Sequence, residues 1–160
     1  MDLELKTYPE QRFAYREVRT TLAKLQDAVQ ANMGDVLALA EAITDPRPPT
    51  FFYRDMTSME SEFTLQLAFP IHDSERSKVT TALRVKQTLP HACVCATYTG
   101  PHSGLMPAWM QFYGACQSAG YLTANEGREV YQVFAGDPNS ADNVTELQLA
   151  VLGKTEDAEL

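Results

Sequence analysis

Between Arg128 and Phe134 the chain alternates: Glu129, Tyr131 and Val133 point one way from an extended strand, and Val130, Gln132 and Phe134 the other. A carboxylate and a phenol two residues apart can serve as a general base and an orienting group for water. A strand glutamate can equally pair with a neighbouring cation, and Arg128 and Arg54 are at hand for that. In the first half of the chain, Phe51, Tyr53 and Asp55 share a strand face, with Tyr53 in a place comparable to Tyr131. The other reactive residue types form no recognisable device. His72, His91 and His102 lie at no ligand spacing, and Cys93 and Cys95 flank Val94, so both thiols pack on one strand face. With Cys116 the cysteines number 3, which gives no disulfide framework. No phosphate-binding glycine loop, dinucleotide fingerprint, zinc-protease helix or nucleophile elbow is present. No metal and no cofactor is therefore expected. His102, near a helix start, could be a general base or a pocket-rim residue, although a lone exposed histidine there is more often neither, and Met33, Met56, Met59, Met106 and Met110 read as core filler and loop residues.

The elements that must position these residues repeat. Leu3-Glu4-Leu5-Lys6 is echoed by Leu83-Arg84-Val85-Lys86, an offset of 83 − 3 = 80, and Leu65-Gln66-Leu67-Ala68 recurs as Leu147-Gln148-Leu149-Ala150, an offset of 147 − 65 = 82. Each half then reads as strand, helix, strand, strand. The first strands are Phe13 to Val18 and Ala92 to Thr99. In half one, helical spacing runs from Leu22 to Ile43, with Gly34 as an interruption and Asp45-Pro46 as the stop. In half two the helix starts near Ser103 to Pro107, carries Leu105, Trp109, Phe112, Tyr113 and Cys116, and ends at Gly120. The closing strands are Thr50 to Met56 with Glu62 to Phe69, and Arg128 to Phe134 with Val144 to Val151. The class is α+β, with two tandem β-α-β-β repeats in one domain over 1–160: repeat one 3–71, a polar linker 72–82, and repeat two 83–152.

Charge and hydropathy narrow the partners. The chain of 160 residues has 13 Lys+Arg against 21 Asp+Glu, a net charge of −8. That balance argues against direct nucleic-acid binding, which rests on cations neutralising phosphates, and against anionic membranes. No apolar run nears the ~20 residues that span a bilayer, and the first residues lack the basic and apolar regions of a signal peptide. A cytoplasmic protein with free thiols is expected.

The second half carries a more specific pattern. Thr99-Gly100-Pro101-His102-Ser103-Gly104-Leu105 leads from a strand into a helix. Gly120 follows, then Arg128-Glu129-Val130-Tyr131 on a strand, Asp137-Pro138 in a turn, and Thr145-Glu146-Leu147-Gln148-Leu149-Ala150-Val151 at the end. In this order, from Leu3 to Leu152, the chain resembles the GyrI-like effector-binding domain. His102 stands where that family usually has an aromatic residue, and Ala150 where it often has proline.

The resemblance implies two repeats related by a pseudo-two-fold, whose antiparallel sheets form a ligand groove with the helices on the other face. It implies a small-molecule partner, lipophilic and cationic in the multidrug-binding relatives, where a glutamate at the position of Glu129 sits among aromatics. Phe51, Tyr53 and Tyr131 would then be pocket walls, and Tyr98 would overhang the groove. Trp109 would be either wall or core. Leu147, Leu149 and Val151 should face the helices, leaving Glu146 and Gln148 on the groove side. The family's regulators carry a helix-turn-helix region before this domain. Here the domain begins near residue 3, so a stand-alone sensor or sequestering module is expected. The alternatives are hydrolysis of strained cyclopropane-containing compounds, as in some stand-alone relatives, and a protein-binding role like that of the gyrase-inhibitory relatives.

Overall fold

The computed structural model describes residues 1–155. It has eight strands: β1 (Glu4–Tyr8), β2 (Arg12–Thr20), β3 (Thr50–Arg54), β4 (Phe63–Ile71), β5 (Arg84–Gln87), β6 (His91–Thr99), β7 (Tyr121–Val133) and β8 (Val144–Lys154). The helices are α1 (Leu25–Asn32), α2 (Gly34–Ala42) and α3 (Leu105–Ser118), with 3-10 turns at Leu22–Lys24, Asp73–Lys78 and His102–Gly104. The strand–helix–strand–strand order read from the sequence is present twice, as β2-α1/α2-β3-β4 and β6-α3-β7-β8. Each set is preceded by a short strand, β1 or β5.

The chain divides into two compact units, Pro9–Pro90 and Met1–Tyr8 with His91–Leu160. In the first, the antiparallel ladder runs β5-β2-β4-β3. In the second it runs β1-β6-β8-β7, also antiparallel throughout. The two ladders share one pattern, and the leading strands are exchanged: β1 pairs with β6, and β5 pairs with β2. The compact units therefore differ in their bounds from the repeats 3–71 and 83–152 expected from the sequence.

The register refines the repeat. Lys86 lies opposite Phe13 and Lys6 opposite Cys93, and Tyr15 lies opposite Ala68 and Cys95 opposite Gln148, so 148 − 68 = 80 here as well. The identical Leu-Gln-Leu-Ala tetrapeptides therefore sit two residues apart in the two ladders. A slip of two keeps every side chain on its own face, so the core pattern survives it.

Local signals behave as physics dictates. Met33 caps α1, and Gly34 opens α2, so the helical spacing of half one is split in two. Pro107 is the third residue of α3, inside the first turn, where its missing N–H costs nothing. Gly120 follows the last helical residues with φ +80°, and its N–H donates to the Gln117 carbonyl at 3.0 Å. That left-handed residue ends the helix without the steric penalty a side chain would bring. Beneath α3 the core of this unit is Val94, Ala96, Phe112, Cys116, Leu147 and Leu149, all buried. Met106 and Met110 are not core filler: both lie on the exposed side of α3. No helix among the described residues is long and apolar enough to cross a membrane.

Candidate functional site

Glu129 is 3% exposed, one of the few charged residues sealed in the structure. It sits on β7 directly opposite Leu147 of β8, and Gly127 sits opposite Leu149. Opposite residues of an antiparallel pair share a face, and Leu147 and Leu149 pack under α3. Glu129 therefore projects on the side of α3. There Trp109 Nε1 donates to its Oε2 at 2.7 Å, and the Tyr131 hydroxyl donates to its Oε1 at 2.5 Å. Hydrogen bonds of this kind to a carboxylate are about twice as strong as neutral ones and fix its direction.

The aromatics around it are themselves held. Trp109 packs against Phe112 and Tyr113 of its own helix, both with ring centroids at 5.6 Å. Its outer ring edge lies over Gly127, where a Cβ would stand 2.9 Å from Cη2. Only a residue without a side chain leaves room for the ring edge there while Nε1 reaches Glu129. His102 packs on Tyr131 at 5.4 Å and on Phe134 at 5.8 Å. Its backbone N–H donates to the Pro138 carbonyl, 2.8 Å away, which anchors the turn. Burial holds the imidazole below its ordinary range, against an upward pull from Glu129. Trp109, Tyr131 and His102 are half-buried and Phe134 is exposed, so the carboxylate lies at the foot of an accessible aromatic wall.

The expected site residues thus separate. Glu129, Tyr131 and Trp109 come together. Tyr98 stands on the same face, in the row of Thr145 and Tyr131, but its hydroxyl donates to the Pro101 carbonyl at 2.7 Å. It is fitted under the turn, where a Cβ on Gly104 would lie 1.9 Å from that hydroxyl. Phe51 and Tyr53 belong to the other unit, opposite Leu67 and Leu65. That face of β2 and β4 bears Arg16, which reaches Asn32 of α1 and Asp35 of α2, so it is again the helix side.

Glu129 and Tyr131 were expected on the groove face away from the helices, together with Glu146, and they lie on the helix side instead, because β7 pairs Glu129 with Leu147 and Tyr131 with Thr145. The residue found on the face away from α3, as expected, is Glu146. It lies opposite Thr97 and Val130, on the face of the sheet away from α3. There it is 1% exposed and accepts from Lys6 Nζ at 2.9 Å, the Tyr8 hydroxyl at 2.5 Å and Gln148 Nε2 at 2.7 Å. Burial pushes its pKa up, and these hydrogen bonds outweigh that and leave it below the ordinary carboxylate range. This is a satisfied structural network. Cys93 and Cys95 share that face, buried, with their sulfurs 3.4 Å apart. The residue that sequence reasoning set aside is His102; its departure from the aromatic of the family pattern was the available signal.

Comparison with solved structures finds this fold in several other proteins. The chain is similar to the EcmrR C-terminal domain (TM-score 0.74, 18% identity, covering 96% of this chain and 98% of that one). It is also similar to SAV2435, solved bound to tetraphenylphosphonium (TM-score 0.71, 12% identity, covering 96% and 95%). A more distant likeness is to a hydrolase encoded by lin2189 from Listeria innocua (TM-score 0.57, 16% identity, covering 93% and 91%). Comparison with curated proteins gives no match. The chain belongs to the GyrI-like family: residues 1–152 match the model of the GyrI-like small molecule binding domain.

Proposed function

We propose that this GyrI-like domain takes lipophilic organic cations at Glu129, as a sensor or sequestering module. The observation that carries this reading is a sealed carboxylate, oriented by Trp109 and Tyr131, at the foot of half-buried aromatic rings. A lipophilic cation gains about 25 cal/mol for each Å² of apolar area it buries there. Ring faces add cation–π attraction of roughly 0.5–2 kcal/mol. The carboxylate supplies the opposite charge in a place where water screens it little. That SAV2435 binds tetraphenylphosphonium supports the choice of ligand class.

Trp109 is the sole tryptophan, so its emission reports on this site alone. Tetraphenylphosphonium titrated into the wild type should change that emission saturably. Glu129→Gln keeps the shape and removes the charge, and should weaken binding at least tenfold. Equal binding by the variant, or none by the wild type, refutes the reading.

A second reading rests on the bond between Tyr131 and Glu129, since a carboxylate paired with a phenol can activate and orient water. The likeness to the Listeria innocua hydrolase supports it. Incubation with a strained cyclopropane-containing compound, followed by mass analysis, separates turnover from binding. Intact compound after many multiples of the enzyme concentration refutes turnover.

A further inference from the structure

The ring of His102 packs on Tyr131, whose hydroxyl bonds the Glu129 carboxylate, yet the His102 Nε2 is buried and has no hydrogen-bond partner among the described residues. Buried ring nitrogens are almost always paired, because losing water without gaining a partner is costly. The ring has little freedom to find one. It is packed on Tyr131 and Phe134, and its own backbone is tied to Pro138. Tyr131, the ring it packs on, already donates its hydroxyl to Glu129. The same aromatic wall thus presents two polar features, a committed carboxylate and an uncommitted imidazole nitrogen.

We infer that His102 is a second polar contact of the site, so that its ligand is an aromatic cation carrying a hydroxyl or similar hydrogen-bonding group beside its charged centre. This rests on the reading of Glu129 as a cation receptor. It narrows that reading from any greasy cation to one that also answers the imidazole. A plain tetraaryl cation satisfies the carboxylate and leaves the nitrogen unpaired. A ligand with a hydroxyl on the His102 side satisfies both.

A matched set of compounds isolates the contact: tetraphenylphosphonium and the ortho, meta and para isomers of (hydroxyphenyl)triphenylphosphonium. They share charge and nearly share size, and differ by one hydroxyl and its position. Wild type, His102→Phe and Glu129→Gln are titrated with each, by Trp109 emission and by calorimetry. The phenyl ring keeps the packing on Tyr131 and Phe134 while deleting the nitrogens. At least one hydroxyl isomer should bind the wild type about five- to tenfold tighter than the parent, the range of one net hydrogen bond. His102→Phe should erase that preference, so that no hydroxyl isomer binds the variant more tightly than the parent compound binds the same variant. Nitrogen-15 NMR of histidine-labelled wild type gives a readout that needs no variant: the hydroxyl compound should move the His102 Nε2 resonance, and the parent should not. No preference for any isomer, or a preference that survives in His102→Phe, overturns the inference while leaving the Glu129 reading standing. Absence of parent binding, or equal parent binding by Glu129→Gln, overturns the Glu129 reading and this one with it.

Discussion

Gly127→Ala adds one methyl group to β7, and the structure fixes what that methyl meets. Its Cβ would stand 2.9 Å from Cη2 and 3.4 Å from Cζ3 of Trp109. A free side chain end would swing aside cheaply. This one is held at its other edge by the bond from Nε1 to Glu129 and is flanked by Phe112 and Tyr113. Overpacking of this kind costs about 1–3 kcal/mol. Alanine returns about 0.4–1 kcal/mol by restricting the unfolded chain. The net expectation is a loss of up to about 2.6 kcal/mol, with Trp109 emission shifted because its hydrogen bond is disturbed. Gly114→Ala is the control: it lies within α3 with nothing inside 4 Å of its Cβ, and should gain about 0.8–1 kcal/mol from helix propensity. Urea unfolding of both variants, followed by tryptophan emission and by circular dichroism, measures the difference. Trp109→Phe removes the outer ring, so the double variant with Gly127→Ala should cost less than the two single changes summed. If Gly127→Ala is as stabilising as Gly114→Ala and leaves the emission untouched, the indole is not seated on Gly127 and the account of the site fails.

Other expectations follow from particular contacts. Gly120→Ala forces a side chain into φ +80°, with its Cβ 2.5 Å from the Thr155 hydroxyl, and should cost about 1–3 kcal/mol in thermal or urea unfolding. Glu146 is held below its ordinary 4.5 by Tyr8, Lys6 and Gln148 against the upward push of burial. The stability it contributes is complete above that value and fades as the pH falls below it, so the gap between wild type and Glu146→Gln should narrow on acidification. Glu75 is lowered to about 2 by Arg47, with help from the His72 backbone N–H. Its contribution should fade between pH 4.5 and about 2, and melting temperatures of wild type and Glu75→Gln should converge over that window.

Much of the fold was legible because buried faces leave a periodic mark. The alternation of Phe63, Leu65, Leu67 and Phe69 located β4, and Gly34 and Gly120 marked where helices break and end. The short strands β1 and β5 announced themselves as a repeat rather than as strands. At five and four residues, with mostly exposed or half-exposed side chains, they carry too little alternation to read. β7 begins at Tyr121, seven residues before the alternation does, because its ladder shifts register between Thr123 and Gly127. That shift also decided the site. Periodicity within a strand says which residues share a face, but not which face a neighbouring strand turns the same way; the inter-strand register does that. It put Glu129 with Leu147 and Glu146 on the far side. The place of His102 depends on Tyr131 and Phe134, some thirty residues on, and no local pattern holds that information.

The exchanged leading strands set an order of events during synthesis. β1 leaves the ribosome first, yet its pairing partner β6 runs from His91 to Thr99, so the strand waits while the whole of Pro9–Pro90 is made. That intervening unit receives its own last strand, β5, from within itself and is complete first. An unpaired strand is an invitation to other chains, and charged residues are the usual protection. Glu4 and Lys6 supply that protection on one face of β1. Once β8 is made, Lys6 closes onto Glu146, so the charge that keeps the waiting strand soluble becomes the clasp that fastens it.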